Sequence, residues 1–261
     1  MKKRLLDIIF ASDKRKNVLL LLQNGPKEMD ALLKSLETTR QALLPQIKIL
    51  EEHYLVFHYN DNYELTTIGK LIADEMVPLL NNIELFDNDI DYWGTHNLSF
   101  IPPHLLKRID EIGKCKILAP SLHEICEIHE NFHENSKKSK SLHGVATSFY
   151  PHFVDLFSDL LSHNVNIYSI VTTDLFNKLR TQHYDDFVKI FNSELTHFYI
   201  YTKKIDFLAF AYNDYNLSLS PLKEEGHFDY KHILCSNSNA IQWAKELFDY
   251  YLKDSILVTE I

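Results

Sequence analysis

Two groups of residues in this chain have types and spacings that could do chemistry. The first is Thr39, Arg40, Gln41, Leu44, Gln46 and Lys48, followed shortly by Asn60 and Asn62. Arginine can donate two parallel hydrogen bonds to guanine O6 and N7, and glutamine can bond adenine N6 and N7. Lysine meets phosphate, and an apolar side chain can meet a thymine methyl. Arg40 and Gln41 are expected at base edges, Lys48 at phosphate, Gln46 at either, and Asn60 and Asn62 at the backbone or minor groove. The second group is His123, Cys126, His129 and His133 in LHEICEIHENFHENS. At about 100° per residue, Cys126, His129 and His133 share one side of a helix. A thiolate with two imidazoles would suit zinc or a similar ion. The plainer reading is a solvated helix: Glu124, Glu127, Glu130 and Glu134 make the segment polar, and no fourth ligand is spaced nearby. No cofactor or bound metal is therefore expected.

The elements that would position the first group can be read around it. Leu5, Leu6, Ile8, Ile9 and Phe10 form a short apolar helix, and Ser12 can cap a second with Val18, Leu19, Leu21 and Leu22 on its buried face. Asn24-Gly25-Pro26 ends it. Met29, Leu32, Leu33 and Leu36 mark a third helix. Thr38 to Gln41 fits a capping box, and Leu43, Ile47 and Leu50 line one face of the helix that follows, over 38–52. Pro45 lies inside that helix and should distort it. Leu55–Tyr59 and Tyr63–Leu65 are β-prone around an Asn-Asp-Asn turn signal. Thr66 or Thr67 caps a helix to about Ile83, with Pro78 kinking or shortening it. The order is a helix-turn-helix whose recognition helix is followed by a wing.

Beyond this lies a connector, 84–112, with Trp93, Phe100 and Ile101 to hold it in place. Helices are expected after Pro102-Pro103 and over 122–135, and a loop over 135–141. From Gly144 strands and helices alternate: strands over 144–149, 165–172, 198–201, 207–213, 215–220 and 232–236, and helices over 151–162 and 174–191. A last helix is capped by Ser238. Early alternation followed by a meander predicts a mixed sheet. The expected fold is α+β, a winged helix-turn-helix over 1–83, a helical connector over 84–141 and an α/β regulatory domain over 142–261.

Charge supports this division. The net charge is −9, yet residues 1–80 hold 11 Lys/Arg and 11 Asp/Glu, so all the excess negative charge lies in the later part. That part would be repelled by a duplex and should point away from it. The hydrophobic fraction of 45% allows a real core. The longest apolar run, Phe207 to Tyr212, is too short to span a bilayer, so no membrane partner is expected. Asp7 and Asp13 interrupt the start, so no signal peptide is expected and the chain reads as cytoplasmic. Cys115, Cys126 and Cys235 form no CxxC pair; neither a disulfide framework nor a zinc ribbon is indicated, and a reducing compartment fits.

Residues 39–69 resemble the recognition helix and wing of archaeal ArsR-like regulators, through TRQALLPQIKILEEHYLV and the wing exit YELTTIGK. DYWGTHNLSFIPPHLLKRIDEIG resembles the Trp–His–Leu–Ile-Pro connector of methanogen regulators with a methanogenesis-regulatory middle domain, and GHFDYKHILCSNSNAIQWAKELFDYY resembles the end of that domain. The resemblance implies an archaeal, dimeric transcription regulator whose C-terminal domain takes an unassigned small-molecule effector.

The α/β region also loosely resembles half of a phospholipase D-like domain. That chemistry needs HxK, whose nearest analogue here is Tyr201-Thr202-Lys203, and no GxSxG, P-loop or GxGxxG occurs. Catalysis is not expected. Phe149, Tyr150, Tyr168, Phe198, Tyr199 and Tyr201 could line a ligand pocket, with core packing the simpler use. The expected function is sequence-specific binding of double-stranded DNA by a homodimer. The alternatives are a metal- or redox-responsive regulator using Cys126, His129 and His133, or a hydrolase without recognisable catalytic residues.

Overall fold

Val18, Leu19, Leu32, Leu43, Ile47, Leu50 and Leu55 are fully shielded from solvent and form the centre of the first of two compact units in the computed structural model. The structure describes residues 4–121, 129–149 and 151–261. The units are Met1–Asn81 and Asn82–Ile261.

The first unit is a winged helix. It contains α1 (Leu5–Phe10), α2 (Asp13–Leu22), β1 (Lys27–Glu28), α3 (Met29–Ser35), α4 (Arg40–Glu52), β2 (Val56–Tyr59), β3 (Asn62–Leu65) and α5 (Thr67–Asp87), of which the part to Asn81 belongs here. Its three strands run in the order β1-β3-β2, all antiparallel. The expected capping box at Thr38 does not form: Thr39 occupies the N-cap of α4 and its side chain makes no capping bond. Thr38 is already used by the end of α3. Glu37 takes a left-handed φ of 46°, its N–H donates to Lys34, and the Thr38 N–H donates to Leu33, as in a Schellman motif. Ser12 stands at the N-cap of α2, likewise without a side-chain bond. Thr66 does cap α5, its Oγ1 accepting from the Gly69 N–H at 3.0 Å. Pro45 and Pro78 sit inside α4 and α5, which continue past them, so Pro78 does not end its helix early.

The second unit is built on an eight-stranded mixed sheet. Residues 84–112, expected as a connector, contribute to its core. They supply α6 (Ile90–Thr95), α7 (Pro103–Leu106) and a 3-10 turn over Ile109–Ile112, which bury Trp93, Phe100, Ile101, Leu105 and Ile112. Then come β4 (Cys115–Leu118), α8 (Glu130–Lys137), β5 (Ser141–Ala146), α9 (Phe153–Ser162), β6 (Asn166–Thr172), α10 (Thr173–Gln182), α11 (Tyr184–Phe191), β7 (Thr196–Tyr201), β8 (Phe207–Tyr212), β9 (Leu217–Pro221), β10 (His232–Cys235), α12 (Ser238–Lys253) and β11 (Ser255–Leu257). The strand order is β11-β7-β6-β5-β8-β9-β10-β4. Among the described residues only β5–β6 and β6–β7 are parallel. The expected loop over 135–141 is instead the end of α8, a turn and the first residue of β5. Asn237, not Ser238, caps α12, its Oδ1 accepting from the Ala240 N–H at 2.8 Å.

Each sheet face has its own apolar layer. Trp243, Ala244, Leu247, Phe248 and Tyr251 of α12 pack with Val145, Ile170, Phe210 and Leu219 on one. Phe153, Phe157, Leu179 and Phe187 pack with Leu142, Ile167, Val171 and Phe198 on the other.

The expectation for the cysteines is overturned as well. Cys115 and Cys235 are Cα partners in the β4–β10 ladder and are joined by a disulfide across 120 residues of sequence. Spacing alone hid the pair because the sheet, and not the sequence interval, brings the two strands together.

Candidate nucleic-acid interface and the second unit

The face of α4 opposite Leu43, Ile47 and Leu50 carries Gln41 and Lys48, both exposed; Arg40, the first residue of the helix, is exposed as well but lies about 20° around the axis from Ile47. Thr39 is exposed just before it, and Leu44 is half-buried. Neither Arg40 nor Lys48 forms an ion pair among the described residues. The two are about 12 Å apart along the axis at the helical rise. Such an array can meet base edges at one end and a phosphate at the other. Gln46 differs. It lies on a different side of α4 from Gln41 and Lys48, and its Oε1 accepts from Arg15 Nη1 at 2.7 Å. The helical period causes this, since Gln46 and Lys48 are about 160° apart around the axis.

The wing follows directly. Asn60 and Asp61 have φ of 48° and 62°, the left-handed pair that a two-residue hairpin connection requires. Asn62 Nδ2 donates to Asn60 O at 3.1 Å, so the two asparagines are tied together at the tip. His58 stacks on Tyr63 at 4.6 Å, and burial, with Glu51 adding to it, pushes the Tyr63 phenol above its ordinary pKa. Phe57 and Tyr59 project from the outer side of the ribbon, 41% and 69% exposed. Between Lys48 and Lys70 there is no Lys or Arg, whereas Glu51, Glu52, Asp61 and Glu64 all occur. The wing can therefore offer amide hydrogen bonds and ring contacts but no phosphate neutralisation.

The second unit does not gather the other candidates. His133 Nε2 lies 2.8 Å from Asp159 Oδ2, while the His129 ring stands edge-on to His232 at 6.4 Å. Cys126, with His123, falls outside the described residues. Among the described residues no cluster of three metal-ligating side chains occurs. The aromatics divide between the two faces: Tyr168, Tyr199 and Tyr201 pack on the α12 side, Phe149 and Phe198 on the other, and Tyr150 is outside the described residues. Lys203, from the closest analogue of a phospholipase D motif, is paired with Asp254 at 2.8 Å.

Two arrangements there went unread in the sequence. Tyr212, His143, Tyr168 and His197 stack in a row across β8, β5, β6 and β7, with centroids 4.7, 4.6 and 4.6 Å apart. His143 is held neutral: burial pushes its pKa down to about 4. His96, from the DYWGTHNL segment, is buried. Its Nδ1 lies 2.7 Å from Tyr92 O and its Nε2 lies 3.3 Å from Asp229 Oδ1. With Asn97 N–H donating to Leu222 and Glu224 N–H donating to Thr95, it fastens the end of α6 to the β9–β10 connection.

Comparison with known proteins gives a consistent family. Residues 3–84 match the N-terminal domain, and residues 125–254 the middle domain, of the methanogenesis regulatory protein FilR1. The FilR1 of Methanothrix harundinacea (strain 6Ac) is 23% identical over 255 residues, covering 95% of this chain. The chain spans 56% of that relative's length. Among solved structures, one described as TrmBL2, an archaeal chromatin protein with a novel mode of DNA binding, is similar over 97% of both chains, with 14% identity and a TM-score of 0.43.

Proposed function

The chain belongs to the family of the methanogenesis regulatory protein FilR1, whose N-terminal and middle domains it carries in order, and on that premise we propose that it is a cytoplasmic, sequence-specific DNA-binding transcriptional regulator with an ArsR-like winged helix. The observation that carries the reading is the set of exposed polar side chains on α4, Arg40 and Gln41 in its first turn and Lys48 two turns on, with neither cation ion-paired among the described residues. Arg40 and Gln41 read base edges, Thr39 and Leu44 stand beside them, and Lys48 holds a phosphate. Asn60 and Asn62 reach the backbone or minor groove from the wing tip. Gln46 is left out of the contact set because Arg15 holds it.

The protein acts as a homodimer, presenting two recognition helices to half-sites about 34 Å apart. Ile68, Leu71 and Leu79, each at least 50% exposed, recur on one side of α5 and supply the apolar seam. The second unit takes a small-molecule effector that binds two conformations unequally and so shifts DNA affinity. No catalytic role is assigned to it.

Selection from random duplexes, run with and without cell metabolites, tests the reading. One sequence should be enriched, and Arg40→Ala and Lys48→Ala should each weaken its binding. A selection that enriches nothing, or affinity unmoved by both substitutions, rejects it.

A further inference from the structure

We propose that Cys115 and Cys235 form a reversible thiol–disulfide couple that fastens and releases the edge strand of the regulatory unit's sheet. The proposal rests on the cytoplasmic regulator reading above only for its compartment: in a cytosolic protein a disulfide is usually transient or redox-sensing and seldom a permanent staple.

Three observations carry it. The two residues face each other directly, as Cα partners 4.4 Å apart in an antiparallel ladder, so no rearrangement is needed for one sulfur to reach the other. Their settings are unequal. Cys235 is on the internal strand β10 and is fully buried, whereas Cys115, 6% exposed, is on β4, an edge strand whose only strand partner among the described residues is β10, so that opening one edge strand uncovers Cys115. Finally, the reduced state is provided for. Cys115 Sγ lies 3.4 Å from both Ile112 O and Gly113 O, so a thiol there has acceptors for its proton. The same side chain thus fits the fold as a thiol and as half of a cystine.

The asymmetry orders the chemistry. The Cys115 thiolate, reached when β4 opens, attacks a low-molecular-weight disulfide, and one thiol leaves. The Cys235 thiolate then attacks Cys115 Sγ in the mixed disulfide and expels the second thiol. The protein loses two electrons and two protons, and the external disulfide is reduced to two thiols. Reduction by a small dithiol reverses both steps. The oxidised form ties β4 to β10 covalently. The reduced form leaves it held by backbone pairing, by Asn88 Nδ2 donating to Cys115 O and by Asn237 Nδ2 donating to Ile112 O.

The test uses the full chain equilibrated in glutathione buffers of graded redox ratio, quenched with a mass-tagged maleimide and mapped by peptide. Cys115 and Cys235 should lose their tags together over one transition while Cys126 keeps its own. Hydrogen exchange of the β4 amides should slow by about tenfold or more on oxidation, a change that Cys115→Ala abolishes. If the two never lose their tags together, or stay joined in fully reduced glutathione, the couple does not exist. Exchange at β4 that is the same in both states also overturns the proposal. A chain that selects DNA but lacks the couple refutes this inference alone; one that shows the couple but selects no DNA refutes the regulator reading alone.

Discussion

Arg15 Nη1 donates to Gln46 Oε1 at 2.7 Å, and Nε of the same guanidinium donates to the Ile8 carbonyl. One side chain on α2 thereby ties the end of α1 to α4. Gln46→Ala should cost about 1 kcal/mol of stability, because a charged donor loses a partner, yet leave base preference unchanged. Urea unfolding alongside binding to the selected duplex checks both parts. A changed base preference with unchanged stability would return Gln46 to the DNA-reading face.

Gly69 sits where α5 passes the carbonyl of Leu55, and a Cβ built on it would lie 1.9 Å from that oxygen. Backbone, not a flexible side chain, is in the way. Gly69→Ala should therefore destabilise the protein by about 2–3 kcal/mol and disturb the entry to the wing. Denaturation midpoints measure the first effect, and the chemical shift of the Thr66 amide, which donates to Leu55 O, reports the second.

His143 is neutral when folded, and its pKa lies near 4 because burial disfavours the cation. The unfolded chain takes up this proton below the ordinary pKa of about 6.5. Between those values the unfolded state holds more protons, so stability is full above about pH 6.5 and falls as the pH drops toward 4. His232 is shifted the same way, by burial and then by His129, and adds to the slope. His143→Phe keeps a ring between Tyr168 and Tyr212 and should flatten the dependence in part. Unfolding midpoints from pH 4 to 7 decide it; an unchanged slope would mean that His143 is not the titrating group.

Leu71 and Leu79 are 65% and 50% exposed on α5. If they form the dimer seam, Leu71→Lys with Leu79→Lys should weaken self-association at least about tenfold while changing monomer stability by no more than about 0.5 kcal/mol per site. Sedimentation equilibrium measures the first quantity. A mass unchanged by the double substitution would move the interface elsewhere.

Much of this molecule was legible in the sequence because it lies in local pattern. The period of Leu43, Ile47 and Leu50 defined α4, and Asn60-Asp61 defined the hairpin turn whose left-handed angles the structure contains. The strands between Asn166 and Cys235 and the helix with Trp243 and Phe248 fall where alternation and amphipathicity predict. What escaped was non-local. β1, β4 and β11 are edge strands whose ladder partners, β3, β10 and β7, are not their neighbours in sequence. The Cys115–Cys235 bond and the His96–Asp229 contact join segments more than 100 residues apart. Gln46 was placed among the DNA readers from its residue type, and only the position of Arg15 shows it occupied.

The strand order has a consequence for synthesis. β4 is the first strand of the large sheet to leave the ribosome, yet it belongs at the far edge, beside a partner made 120 residues later. Until β10 emerges, Cys115 and Ile117 have no ladder to join, and the nascent chain carries an unmated apolar segment while the 120 residues between Cys115 and Cys235 are made. Assembly must then begin among β5, β6 and β7, whose pairing partners follow one another closely, and the oldest strand must wait for one of the youngest before it is seated.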